Sequence, residues 1–108
     1  MKVEPINERE SEAIRRRLVV IRTHVSGSNQ AAFARTLGIS PTRWNNIERG
    51  FPLTLNLLFL LTKTVPGLTP EYVTHGSLER MQSILKRQLS TLEDELFPSP
   101  KSRASSQK

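Results

Sequence analysis

Only Gly38, Ile39 and Ser40 separate the stretch Gln30–Leu37 from the stretch Pro41–Arg49. No other feature of this 108-residue chain limits its fold as much. Each stretch carries the periodicity of a short helix, with Ala31, Phe33, Ala34 and Leu37 in the first and Trp44 and Ile47 in the second. So short a connector, holding a glycine, cannot lay the second helix antiparallel along the first; it sends it steeply across. Local chemistry marks the ends. Gly38 suits the left-handed stop of the first helix. Ser40 is a favoured N-cap, and Pro41 is pre-organised for the first helical position. Gly50 closes the second helix.

Projected at about 100° per residue, the helix 41–49 divides into two faces. Trp44 and Ile47 lie together on one side. Thr42, Asn45, Asn46 and Arg49 fall within one arc of about 140° on the other, with Arg43 and Glu48 at its borders. An apolar face for docking opposite a face of hydrogen-bonding groups is the pattern of a recognition helix.

The remaining segments also read as helices. From Asn7 to about His24, the residues Ile14, Leu18, Ile21 and Val25 make one apolar stripe, and Asn7 with Glu10 resembles a capping box. Thr54 can cap a helix that ends before Pro66, and Thr69-Pro70-Glu71 opens a short helix that stops at Gly76. A longer amphipathic helix is expected over residues 77–96. Residues 97–108, ending in "PSPKSRASSQK", have the composition of a disordered tail. Nothing alternates with period two over a useful length, so the fold expected is all-α.

Composition removes several classes. With no cysteine, the chain has no disulfide framework, thiolate zinc site or cysteine nucleophile. Neither His24 nor His75 has a second ligand type at metal spacing, so no metal or other cofactor is expected. The longest apolar run, "LNLLFLL" from Leu55 to Leu61, is far short of the roughly 20 residues of a membrane span. "MKVEPINERESE" has no apolar region of a signal peptide, which gives the expectation of a cytoplasmic protein. The formal charge of +6 favours a polyanionic partner. That charge is spread along the chain, and its only tight cluster, Arg15-Arg16-Arg17, spans most of a helix circumference. Those arginines read equally as a solvated basic surface or as DNA contacts.

The stretch "NQAAFARTLGISPTRWNNIERG" resembles the helix-turn-helix of the phage repressor and Cro family, also called the XRE family. The family's pattern falls on Gln30, Ala34, Gly38, Ile39, Trp44, Ile47, Glu48 and Gly50. "PLTLNLLFLLTKTVPGLTPEYVTHG" is similar to its fourth and fifth helices, so the likeness covers residues 7–76. It implies a five-helix lambda-repressor-like domain that binds double-stranded DNA, with the helix 41–49 in the major groove.

On that resemblance, Thr42, Arg43, Asn45 and Asn46 are the candidates for base contacts. An asparagine amide can pair with adenine N6 and N7, an arginine with guanine O6 and N7, and a threonine with a base edge or a thymine methyl. Asn29, Gln30, Ser40 and Arg49 are the candidates for phosphate contacts, the first two at a helix N-terminus where dipole and N–H groups favour an anion. Asn29 can equally serve as a plain N-cap. The resemblance further implies that Glu48 pairs with an arginine of the first helix, for which Arg22 stands in place. Trp44 and Pro41 depart from the family pattern. Trp44 is read chiefly as a core residue, with stacking on DNA as the other possibility.

In the last third, Leu78, Met81, Leu85, Leu89, Leu92 and Leu96 recur at helical spacing, with Leu78, Leu85 and Leu92 at heptad intervals. Two readings stand side by side: a dimer helix, or a helix folded back on its own chain. A homodimer would read two half-sites about one helical turn apart. The functional expectation is a non-enzymatic, sequence-specific transcriptional regulator, with repression the expected mode. The alternative is an antitoxin-like protein whose residues 77–96 bind a protein partner.

Overall fold

The computed structural model describes residues 8–50 and 52–98. Its elements are α1 (Glu8–Ser26), α2 (Gln30–Leu37), α3 (Pro41–Glu48), α4 (Leu55–Thr64), α5 (Pro70–His75) and α6 (Ser83–Leu96). Among the described residues there is no strand, as the all-α expectation requires, and no helix long and apolar enough to cross a membrane.

The helix starts follow from side-chain chemistry. Ser40, Thr54 and Thr69 each hold extended backbone and accept a hydrogen bond from the N–H of Arg43, Leu57 and Tyr72 respectively. Each satisfies one of the donors that a helix leaves unpaired in its first turn. Asn7, the expected cap of α1, lies outside the described residues.

The core is built on α1. Leu18 and Ile21 are buried with Phe33, Trp44, Leu57, Leu61 and Val73 from α2 to α5. Phe33 and Trp44 meet edge-on, with ring centroids 4.8 Å apart and planes at 64°, a favoured aromatic geometry. Val25, the last member of the expected stripe, is instead exposed.

A second face of α1 is also covered, by α6. One cleft between the two helices is lined by Arg9, Glu12, Arg16 and Glu93, and another by Thr23, His24, Arg87 and Gln88. The helices therefore run antiparallel, and the row Ala13, Arg16, Val20, His24 faces α6 at i, i+3, i+7, i+11. Val20, Met81, Leu85 and Leu89 are buried.

This arrangement corrects the expectation of one helix over residues 77–96. The helix starts at Ser83, and Leu78 and Met81 precede it in a turn in which the Met81 N–H donates to the Leu78 carbonyl at 3.3 Å. The chain has to change direction after α5 to lie along α1, and that requirement overrides the helical pattern of residues 78–82. Leu78, Leu85 and Leu92 thus form no continuous heptad stripe. Of the two readings of this segment, the structure has the helix folded back on its own chain. Phe97, the first residue of the expected tail, lies within the described chain. Phe97 packs on the core with the Arg16 guanidinium 5.4 Å above its ring, and residues 99–108 lie outside the described residues.

The three clustered arginines serve the fold. Arg15 Nε donates to the Glu48 carbonyl at 3.0 Å, and Arg17 donates to the Val73 carbonyl at 3.0 Å. Arg16 pairs with Glu12 at 3.4 Å and covers Phe97. One helix is thereby tied to α3, to α5 and to the end of α6. Gly76, at φ 75°, stops α5 where a Cβ would lie 2.9 Å from the Arg17 guanidinium. Both the backbone conformation and the arginine favour glycine there.

Tyr72 is buried on α5, and its hydroxyl has no hydrogen-bond partner. Burial, reinforced by the nearby Glu93 charge and opposed by Arg17, pushes its pKa up from 10.0 to about 12. A raised pKa favours the neutral phenol of the folded state. Its contribution to stability is therefore full below pH 10, declines as the unfolded phenol ionises, and is lost as pH rises through about 12. Tyr72→Phe is expected to remove this alkaline dependence and to stabilise the chain at neutral pH by about 1 kcal/mol, because an unpaired buried hydroxyl is deleted. Urea unfolding of both proteins between neutral and alkaline pH tests this. Equal stabilities across the range would mean that the hydroxyl finds a partner in solution.

Candidate nucleic-acid interface

The candidate interface begins with the turn between α2 and α3. Gly38 adopts φ 85°, ψ 25°, and its N–H donates to the carbonyls of Ala34 and Arg35. The Ile39 N–H also donates to Ala34 O at 3.0 Å. These bonds close the C-terminus of α2 with a left-handed residue, and Ser40 opens α3 at once. The two helices pack against each other across the turn.

On α3 the buried residues are Trp44, Ile47 and Glu48, one face at i, i+3, i+4. Trp44 is fully buried, so the core reading of this residue holds. Glu48 is the only buried charged residue among those described, and its carboxylate collects donors from three helices. Arg22 of α1 grips it with both ends of its fork, Nε to Oε2 at 2.9 Å and the terminal nitrogen to Oε1 at 3.0 Å. Gln30 of α2 donates its amide to Oε1 at 2.9 Å. Trp44 donates its indole N–H to Oε2. Arg22 also donates to the Gly27 carbonyl at 2.7 Å, holding the turn between α1 and α2. The pairing of Arg22 with Glu48 was expected. The additional donors from Trp44 and Gln30 were not, although the i, i+4 spacing of Trp44 and Glu48 is a signal that could have indicated the first.

The opposite side of α3 faces outward. Thr42, Arg43 and Arg49 are exposed, and Asn45 and Asn46 are half-buried. None of these five side chains is engaged in a hydrogen bond or ion pair within the described chain. Arg49 stands just beyond the helix as its C-cap, where its N–H donates to the carbonyls of Asn45, Asn46 and Ile47. The donors and acceptors of this face are thus available to a ligand, on a helix whose other face is fixed.

The phosphate candidates divide. Asn29 caps α2 by accepting from the Ala32 N–H at 2.9 Å, and its amide nitrogen has no hydrogen-bond partner among the described residues. Ser40 accepts from the Arg43 N–H at 3.1 Å and keeps its hydroxyl hydrogen to donate. Gln30 is turned onto Glu48, so one of its two amide hydrogens is already engaged within the chain. In the first turn of α2 the Ala32 N–H is taken by Asn29 and the Phe33 N–H donates to the Asn29 carbonyl, so the N–H groups of Gln30 and Ala31 are those without an intrahelical acceptor, as at any helix start.

Among the described residues, no group of three or more His, Asp or Glu side chains could hold a metal ion. His24 lies in the last turn of α1, and His75 ends α5 with its Nδ1 2.8 Å from the Thr74 hydroxyl. Comparison of the chain with protein-family models, with curated proteins and with solved structures returned no match.

Proposed function

We propose that this chain is a non-enzymatic regulator that binds double-stranded DNA through a helix-turn-helix of the phage repressor and Cro type, with α3 in the major groove. The observation that carries this reading is the division of α3. Its inner face is fixed by Trp44, Ile47 and the Glu48 network, while Thr42, Arg43, Asn45, Asn46 and Arg49 are left unengaged on its outer face. A solvated helix face needs no such anchoring; a helix that must meet base edges in one register does.

In this reading Asn45 and Asn46 pair with adenine, Arg43 with guanine and Thr42 with a base edge or methyl. Arg49, Ser40, Asn29 and the N–H groups of Gln30 and Ala31 are, in the same reading, the phosphate contacts. For Gln30 the reading shifts toward its backbone N–H, because its side chain supports Glu48. Protein capture through residues 77–96 is not favoured, since Leu85 and Leu89 are buried within this chain.

The test is selection from a pool of random duplexes at physiological salt, followed by titration of variants on the recovered sequence. Asn46→Ala is expected to cost about 1–3 kcal/mol of discrimination at one base pair and to leave non-specific binding nearly intact. Arg49→Ala is expected to weaken all sequences alike and to reduce the salt slope by about one unit. No enriched sequence, or equal losses on specific and random DNA for Asn46→Ala, would overturn the base-reading role of α3.

A further inference from the structure

The last turn of α3 holds no basic residue, and the charge it does hold, on Glu48, has the sign that a helix C-terminus disfavours. Its cations come from α1. Arg22 answers the Glu48 carboxylate, and Arg15 places Nε 3.0 Å from the Glu48 carbonyl. The other three carbonyls of that end, on Asn45, Asn46 and Ile47, take the N–H groups of Arg49 and Gly50 at 3.1 Å. With Arg15 in place, each of the four carbonyls that a helix leaves open at its end has a donor. Arg15 thus completes the C-terminal cap of α3 from another helix.

The same side chain meets the backbone on both sides of Arg49. Its stem runs beside Gly50, where a Cβ would lie 3.7 Å from Arg15 Cδ. Arg49 stands between, outside the helix, at φ −91°, ψ 1°, in the sparsely allowed bridge region. No helical repeat holds a residue there. The peptide that joins it to Glu48 sets the direction in which its side chain leaves the backbone, and Arg15 holds that peptide by its carbonyl. We propose that Arg15 is the positioning residue for Arg49: it acts on the DNA backbone through Arg49 and makes no phosphate contact of its own. This rests on the DNA-binding reading and names what aims the phosphate contact at the end of α3.

Their partners separate the two arginines. Arg15 has Nε on the carbonyl and Nη1 on Glu12, whose carboxylate offsets its charge. The Arg49 side chain is exposed and has no hydrogen bond or ion pair among the described residues. A phosphate would have to displace Glu12 from Arg15, whereas at Arg49 it displaces only water. One arginine is therefore built into the protein, and the other is left for the ligand.

A double-variant cycle on the full chain tests the proposal, with affinity for the selected duplex and for random DNA measured across a range of salt. Arg49→Ala alone is expected to weaken both DNAs about tenfold, the scale of one charge-assisted hydrogen bond. Arg15→Met keeps the stem and removes the donors. It is expected to weaken both DNAs by about threefold to tenfold and to lower the salt slope by up to about one unit. In the Arg49→Ala background it is expected to change neither. Without DNA, it is expected to speed amide exchange at Arg49 and Gly50 by about tenfold, more than at Leu18 and Ile21 in the core. Arg15→Lys keeps the net charge but not the fork that reaches carbonyl and carboxylate together. A loss of affinity in Arg15→Lys that vanishes in the Arg49→Ala background is expected, and it serves as the test if Arg15→Met does not fold. Losses that add in the double variant, with the slope down by about two units, would make Arg15 a phosphate contact itself and overturn the proposal. So would DNA binding that a folded Arg15→Met leaves unchanged while the wild-type chain enriches a sequence. A wild-type chain that binds no duplex, with faster exchange at Arg49 in Arg15→Met, would overturn the DNA reading and uphold the cap on α3.

Discussion

Replacing Glu48 by alanine is expected to lower the unfolding free energy of this chain by about 3–5 kcal/mol, the cost of leaving one partner of a buried ion pair alone. The Arg22 guanidinium would stay largely buried without its counter-charge, and the donors of Gln30 and Trp44 would lose their acceptor together. The control is the double variant Arg22→Met with Glu48→Leu, which removes both charges and is expected to recover most of the loss. Trp44, the only tryptophan, reports unfolding from inside the affected site. A loss below about 1 kcal/mol would place the carboxylate in the class of hydrated surface pairs. The network's contribution is then less to net stability than to orientation: it gives α3 one angle against α1 and α2. On the proposed DNA-binding reading, the same variant is expected to lose sequence discrimination before it loses affinity for DNA in general.

Truncation after Arg80 is expected to abolish cooperative folding. It removes Met81, Leu85 and Leu89 from the interior and uncovers Val20. At about 1.5–3 kcal/mol for each buried side chain, the three together approach the whole stability of a typical domain, about 5–15 kcal/mol. Circular dichroism and amide dispersion of residues 1–80 would show a partly helical chain without a sharp thermal transition. A truncated chain that melts cooperatively near the full-length temperature would make α6 an appendage and return it to consideration as an arm for a partner. The outcome decides whether the fold ends at Gly76 or needs its last helix.

The α2–turn–α3 unit was legible because everything that shapes it is local. Gly38, Ser40 and Pro41 act within four residues of themselves, and the caps at Thr54 and Thr69 do the same. The docking of α6 on α1 was not. The α1 row that receives it, Ala13, Arg16, Val20 and His24, holds two polar residues, so no apolar stripe announces a second buried face. Arg16 instead meets the end of α6 with its guanidinium over the Phe97 ring. The start of α6 was misplaced for the complementary reason: Leu78 and Met81 fit a helical period, but they enter the core from a turn. On α4, "LNLLFLL" is apolar on every side, so periodicity carries no information about which leucines stay uncovered. The Arg22–Glu48 pair rested on resemblance alone. Its companions, Gln30 and the Arg15 contact to the Glu48 carbonyl, span 18 and 33 residues and needed the packed structure.

The antiparallel seating of α6 on α1 also sets a timetable for synthesis. Of the described helices, the first to leave the ribosome is covered by the last, and about 70 residues separate the end of one from the end of the other. At translation rates of about 5–20 residues per second, Val20 and its row wait roughly 4–14 s for their cover. During that interval α1 is a nascent amphipathic segment carrying three adjacent arginines beside an apolar strip, and its α6-facing row stays open to water until the closing helix arrives.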